Sequence, residues 1–419
     1  MSEWASMQLA NLCKKIGSGA TPRGGNSVYQ NHGIPLIRSQ NVFNDGFSET
    51  GLAFINQDHA DQLSNVTVLA EDNLLNITGE AVCRSCQAPS NFTPARVNQH
   101  VVIIRPRPEV LDSRYLHYHL ISPSMQSFME GLSTAGATRR ALTKGMIENF
   151  EIPLPPLPEQ KAIAHILGTL DDKIDLNRRM NASLEAMAQA LFKSWFVDFD
   201  PVRAKMEGRV PSGMDATTAA LFPDRLVDSG TELGEIPEGW EVKAIRDVLS
   251  LEYGKALKAN DRTPGPYPVY GSNGVVGSHD QLLVAGPGIV VGRKGNAGTV
   301  IWADDSFYPI DTTFYVVPTG KVESLPYLFQ MLRLQDLPSL AADSAVPGLN
   351  RNMAYGNQVR IPPTEVIDLF DRMSRPLSTK IAANSSQSQT LAALRDTLLP
   401  RLMSGELRVG EAEKMVNNV

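Results

Sequence analysis

Two groupings in this chain have the residue types and spacing of reactive sites. Cys83 and Cys86 form a CxxC in "AVCRSCQ", and paired thiolates at that spacing make half of a tetrahedral zinc site. The other half is missing from the pattern. Cys13, His100, His117 and His119 are available, but none stands at a second metal-ligand spacing, so no metal site is expected. Three cysteines are too few for a disulfide framework, and the pair is expected as two thiols in or beside a strand. The second grouping is Pro223-Asp224 followed by Glu241-Val242-Lys243. It imitates the acid, acid and lysine with which a metal-dependent nuclease holds Mg²⁺ and polarises a water. Its parts straddle "VDSG" and "LGEIPEG", which read as a linker, so convergence is not expected. "GPGIVVGRKG" at 286–295 has glycines but no clear strand–turn–helix context, and no Walker A sequence occurs.

The elements that would carry any site are written twice. Trp4, Leu9 and Leu12 match Trp240, Ile245 and Val248 at an offset of 236. "VNQHVVIIRP" resembles "IDTTFYVVP" with Pro106 and Pro318 212 apart, as are Tyr115 and Tyr327. "LTKGM" and "LNRNM", Lys173-Ile174 and Lys380-Ile381, and Leu184 and Leu391 match at 207. The offsets drift in small steps, in order, as a duplication with scattered deletions produces. A period near 200 residues is a domain duplication rather than a solenoid.

Each copy reads as short β-rich runs bounded by Gly, Pro and Asn ("VVIIRP", "GIVVGR", "TFYVVP") with one short helix ("SRYLHYHLIS", "LPYLFQMLRL"). A long helix follows each block. Ile163, Leu167, Leu170, Ile174, Leu184, Leu191 and Trp195 keep a 3-4 spacing, and Phe370, Leu377, Ile381, Leu391, Leu398 and Leu402 repeat it. Both helices begin behind prolines, in "LPPLPEQ" and "IPPTEV". Proline fixes its own φ and keeps the residue before it extended, so these runs are stiff joints that set where each helix leaves its block.

Composition narrows the class. Of the 419 residues, 42% are hydrophobic and 20% charged, which is ordinary for a folded protein. No apolar run approaches a membrane span and the start has no signal-peptide pattern, so a cytoplasmic protein is expected. The net charge of −6 argues against a sequence-blind nucleic-acid binder. The acidity is local: residues 151–235 carry −5, while residues 1–150 are neutral and residues 236–360 carry −1.

"IPLPPLPEQKAIAHILGTLDDKIDLNRRMNASLEAMAQALFKSWFVDF", "LGEIPEGWEV" at 233–242 and "LRDTLLPRLMSGEL" at 394–407 together resemble type I restriction-modification specificity subunits. The resemblance runs in order over nearly the whole chain. It implies an α+β fold: two similar mixed α/β target-recognition domains joined by two long antiparallel, coiled-coil-like helices with an internal pseudo-two-fold repeat. The boundaries expected are a first recognition domain at 1–155, a central helix at 156–200, a linker at 201–235, a second recognition domain at 236–362, a distal helix at 363–407 and a tail at 408–419. The implied function is recognition of a bipartite, asymmetric site in double-stranded DNA, without catalysis. The implied partners are two adenine-methylating modification subunits and the translocating restriction subunits. S-adenosylmethionine, ATP and Mg are expected in those partners, and no cofactor in this chain. Both Pro-Pro pairs lack the preceding Asp or Asn of an adenine methyltransferase loop. The alternatives are the recognition half of a fused restriction endonuclease-methyltransferase and a long-helix scaffold without a nucleic-acid role.

Base reading needs side chains with paired donors and acceptors, Arg for guanine and Asn or Gln for adenine, held on loops. The first block offers Arg38, Ser39, Gln40 and Asn41, then Thr138, Arg139, Arg140 and Lys144, with Arg84 and Arg105 as weaker candidates. The second offers Ser272 and Asn273, then Arg293, Lys294 and Asn296, then Asn350, Arg351 and Asn352, at matching repeat positions. Met180, Met187, Phe192, Trp195, Phe196 and Phe199 are expected as an apolar stripe for partner subunits. Asn177 and Asn181 interrupt the first helix seam, as Asn384 and Ser388 interrupt the second. Antiparallel pairing is expected to set Asn181 beside Asn384 and Asn177 beside Ser388 and so fix the register; the alternative is a splayed, wet middle.

Overall fold

The computed structural model describes residues 4–134, 140–341 and 348–416. The chain divides into two compact units, Met1–Asn177 with Gln387–Val419, and Arg178–Ser386.

In the first unit an antiparallel sheet runs in the order Cys13–Ser18, Val101–Pro106, Asn73–Asn76, Ser85–Gln87. Val102, Ile104 and Leu75 turn into one core; Val101, Ile103 and Leu74 turn into another. A strand buried on both faces needs no polar alternation, which is why it reads as one apolar run. A mixed sheet completes the second core in the order Ala53–Ile55, Ile34–Ile37, Ala95–Val97, Thr67–Val68, its middle pair parallel. Helix α1, Ser113–Ile121, is capped by Asp112, which accepts from the amides of Arg114 and Tyr115.

Helix α2, Leu157–Phe196, begins behind the proline run and at 1.5 Å per residue is about 60 Å long. Gln160, 1% exposed, fastens its first turn. Its Nε2 donates to the carbonyls of Pro155 (2.9 Å) and Val110 (3.1 Å), and its Oε1 accepts the Asp112 amide at 2.9 Å. The joint is therefore stiffened by proline and locked by a buried amide to the cap of α1.

The second unit repeats the plan. Leu249–Tyr253, Thr313–Pro318, Gly288–Gly292 and Val300–Ala303 form an antiparallel sheet in the corresponding order. A smaller sheet orders Gly274–His279, Tyr267–Gly271 and Tyr308–Pro309, the last two parallel. Helix α3, Leu325–Arg333, stands where α1 stands in the first unit, and helix α4, Thr364–Met403, has the same 40-residue length as α2. The equivalence holds at single bonds: Tyr115 Oη donates to the Pro153 carbonyl at 3.0 Å, and Tyr327 Oη to the Arg360 carbonyl at 2.6 Å. The fold is α+β and internally duplicated.

Each unit contains a stretch of both long helices, and within each the stretches run antiparallel. In the first unit, Asp171 meets Arg395 at 2.7 Å and Asn177 Nδ2 donates to Ser388 Oγ at 3.2 Å and to Gln387 Oε1 at 3.0 Å. In the second, Asn384 Nδ2 donates to Asn181 Oδ1 at 2.9 Å, Asn181 Nδ2 to Ser385 Oγ at 3.2 Å, and Phe192 packs on Phe370. Asn177 and Asn384 are 1% and 2% exposed, so neither is a wet residue of a splayed pair. A buried amide in an apolar seam costs stability and fixes register. Asn384→Leu alone should destabilise the second unit by about 1 kcal/mol, because Asn181 loses its donor. Asn181→Leu with Asn384→Leu removes both partners and should melt higher than wild type. A double variant less stable than either single one would contradict this account.

The end of α2 corrects one expectation. Phe192, Trp195, Phe196 and Phe199 do not form an exposed stripe: each is 3–4% exposed. Phe196 lies 5.1 Å from Tyr327, Trp195 5.2 Å from Phe222, and Phe199 5.6 Å from Trp240, between ring centroids. Phe192, Trp195 and Phe196 are the core face of α2, Phe199 follows just past its end, and that core is the second unit's own. Met180 is half-buried, and only Met187 of the six is well exposed, at 57%.

Candidate nucleic-acid interface

In the second unit, three loops meet. The Ser272–Asn273 turn closes the hairpin of Tyr267–Gly271 and Gly274–His279. The loop from Arg293 leaves strand Gly288–Gly292, and Gly348–Asn350 leads into helix Arg351–Gly356. Thr299 Oγ1 donates to the Ser272 carbonyl at 2.8 Å, and the Leu349 amide to the Arg293 carbonyl at 2.8 Å. Lys294 and Gly348 form a β-bridge. Gly292 must be glycine, because a Cβ there would stand 2.1 Å from the Asn296 carbonyl oxygen.

Tyr253, at the end of its strand and 46% exposed, organises the arginines. The guanidinium carbons of Arg293 and Arg351 each lie 4.8 Å from its ring centroid. Arg293 Nη1 also donates to the Asp311 carbonyl at 2.9 Å, and Arg351 lies 5.7 Å from the Tyr355 ring. Stacking holds a guanidinium by its flat face and leaves edge donors for a ligand. Asn350 is tied up as the helix cap, its Oδ1 accepting the amides of Asn352 (3.0 Å) and Met353 (3.2 Å). Asn273, Lys294, Asn296 and Asn352 are exposed, and Ser272 is half-buried.

The first unit has the same three loops. Asn76 Nδ2 donates to the Ser39 carbonyl at 2.9 Å, and the Gly79 amide to the Arg140 carbonyl at 3.3 Å. Arg38 lies 5.2 Å over Tyr29, and Arg84 5.0 Å over Phe43. Gln40 Nε2 donates to the Gly51 carbonyl at 3.1 Å. Ser39 is half-buried; Arg140 and Lys144 are exposed, and Lys144 is 3.4 Å from Glu148. Thr138 and Arg139 lie outside the described residues.

Two candidates are structural. Asn41 is fully buried; its Nδ2 donates to the Ser48 and Thr50 carbonyls and its Oδ1 accepts the Arg38 amide. It closes the loop that presents Arg38 and offers nothing outward. Arg105 makes a two-pronged pair with Asp72 at 2.7 Å on each prong and donates to the Thr67 carbonyl.

The CxxC thiols are packed away. Burial pushes the Cys83 thiol up to about 11 and Cys86 to about 12, and holds the His117 and His119 imidazoles down at about 4. Glu241 pairs with Lys243 at 2.8 Å, and that hydrogen bond keeps its carboxyl below the usual range. No group of three His, Cys, Asp or Glu able to hold a metal occurs among the described residues.

A duplicated scaffold that presents stacked arginines and polar loops from each copy defines a two-headed recognition subunit. The chain belongs to the type I restriction-modification DNA specificity family, whose domain it matches over residues 1–186 and 237–366. It is 26% identical to the type I restriction enzyme HindI specificity subunit of Haemophilus influenzae, over 97% of this chain and all of that one. It is 27% identical to the MjaIX specificity subunit of Methanocaldococcus jannaschii, over 76% of this chain and 74% of the relative. A crystal structure of the type I system S subunit from M. genitalium shares the fold, with a TM-score of 0.59 at 15% identity over 96% of each chain. The chain is thus a DNA-specificity subunit that performs no catalysis itself.

Proposed function

We propose that the three-loop face of each unit reads one half of a bipartite site in double-stranded DNA. The observation that supports this is the same loop construction in both units, closed by the matching bridges Thr78–Ala141 and Lys294–Gly348, with arginines stacked on aromatic rings beside the loops of each. Residues 1–155 and 236–362 are taken as the two recognition domains. The long helices space the half-sites and carry the partners: two modification subunits bearing S-adenosylmethionine, joined by restriction subunits using ATP and Mg, in the cytoplasm. Two similar domains meet one face of the duplex near whole helical turns, so half-site centres should lie about 10 bp apart. Mapping methylated adenines in DNA from cells carrying the intact system should give two short specified halves with a fixed unspecified gap. Exchanging residues 236–362 for those of a relative should change one half only. A contiguous site, or both halves changing together, would sink the assignment.

A further inference from the structure

The repeat is broken at one place. In the first unit, α1 is locked to both long helices by charge. Tyr118 Oη donates to Asp171 at 2.6 Å, Arg395 Nη1 pairs with the same carboxylate at 2.7 Å, and Arg114 grips Asp172 and the Gly168 carbonyl. The duplication offsets of 212 for the short helices and 207 for the long ones, fixed by the paired tyrosine bonds, give each residue its counterpart. Arg114 becomes Pro326, Tyr118 becomes Gln330, Asp171 becomes Ser378, and Arg395 becomes Ala188. All four counterparts line a single cavity of about 80 Å³ in the second unit. Arg395 and Tyr118 give way to the smaller Ala188 and Gln330, and the cavity lies among these replacements.

This pocket opens to solvent on one side and has the lining of a cation site. Phe329 and Phe370 supply aromatic surface, and the carboxylates of Asp304 and Glu185 line it too. Arg333 already lies 5.3 Å over Phe329 and 4.0 Å from Glu185, so it takes part of that charge. Asp304 is exposed and accepts one bond, from Trp302 Nε1 at 3.0 Å, on a single oxygen.

We propose that this cavity receives an arginine side chain from a partner protein, supplying in trans what Arg395 supplies in cis in the first unit. Arginine suits it because a flat, weakly hydrated guanidinium stacks on aromatic faces while its edges donate to carboxylates. The inference rests on the assembly with modification subunits proposed above, and the modification subunit is the partner to test. Ala188→Arg with Ser378→Asp installs the counterpart of the first unit's Arg395–Asp171 pair. The full chain carrying it should melt higher than wild type and bind the modification subunit at least tenfold more weakly, read by native mass spectrometry and sedimentation. Asp304→Asn with Glu185→Gln alters two exposed carboxylates and leaves the fold intact by circular dichroism. It should weaken binding about tenfold by loss of charge-assisted bonds. Wild-type affinity in either folded variant overturns the cavity as the arginine's seat. Failure of the wild-type chain to bind modification subunits would instead remove the assembly reading itself.

Discussion

Arg293→Ala with Arg351→Ala should abolish discrimination in one half of the DNA site and leave the other half as it was. Each arginine read bidentately against guanine contributes about 1–3 kcal/mol of base discrimination, so each single variant should lose about tenfold to a hundredfold at one base pair. Tyr253 gives a sharper test of the geometry. The ring carries both guanidinium groups at 4.8 Å, yet its own strand position gives it no need to touch a base. Tyr253→Phe keeps the ring and should keep specificity. Tyr253→Leu keeps both arginines but removes the ring that holds their faces, and should relax the same half-site that the double variant loses. The measurement is binding of the assembled complex to duplexes with one half altered at a time, across salt concentrations. Uniform weakening on every sequence, with a shallower salt dependence, would mark these arginines as phosphate contacts rather than readers.

The duplication was legible because it acts through spacing. Strand order, helix length and the paired tyrosines all follow offsets visible in the letters. The helix register was legible for a related reason. An Asn interrupting a seam is a local mismatch whose partner follows once the direction of the second helix is given, and the bonds of Asn181 to Asn384 and Asn177 to Ser388 lie at those places. The loops were harder. Asn41 has the chemistry of an adenine reader, but its loop has carbonyls of its own at Ser48 and Thr50 that require a donor. Sequence shows the amide and not which acceptors the loop leaves unpaired. Tyr253 was missed for the opposite reason. An aromatic residue at a strand end reads as core, and the two arginines it carries are distant in sequence. A tyrosine whose counterpart by the 236 offset is Gly17 was the available signal, since a side chain present in only one copy is not needed by the shared core.

The aromatic end of α2 shows where a stripe and a core face cannot be told apart by periodicity alone. Phe192, Trp195, Phe196 and Phe199 follow helical spacing whether they await a partner or fill their own unit. What decides is what else the chain brings to that face, here Tyr327, Phe370, Phe222 and Trp240, all distant in sequence.

That distinction has a large energetic consequence. Phe196 is 3% exposed and touches Phe192, Trp195, Trp240, Tyr327 and Phe370. Phe196→Ala should cost about 3–5 kcal/mol, combining lost burial with the cavity left among rings that cannot collapse together. Met187→Ala, on the same helix but 57% exposed, should stay within about 0.5 kcal/mol. A chain of two units need not unfold in one step, so the probe must be local. Trp195, Trp240 and Trp302 lie in the second unit and Trp4 in the first, which makes tryptophan fluorescence mainly a report on the second. Denaturant titration followed that way should show an early transition in Phe196→Ala, with the first unit's transition unmoved by circular dichroism. Were Phe196 a partner-facing residue, the isolated chain would tolerate alanine there and only assembly would suffer. An unchanged midpoint in the isolated chain would return the residue to the interface, against the ring packing described above.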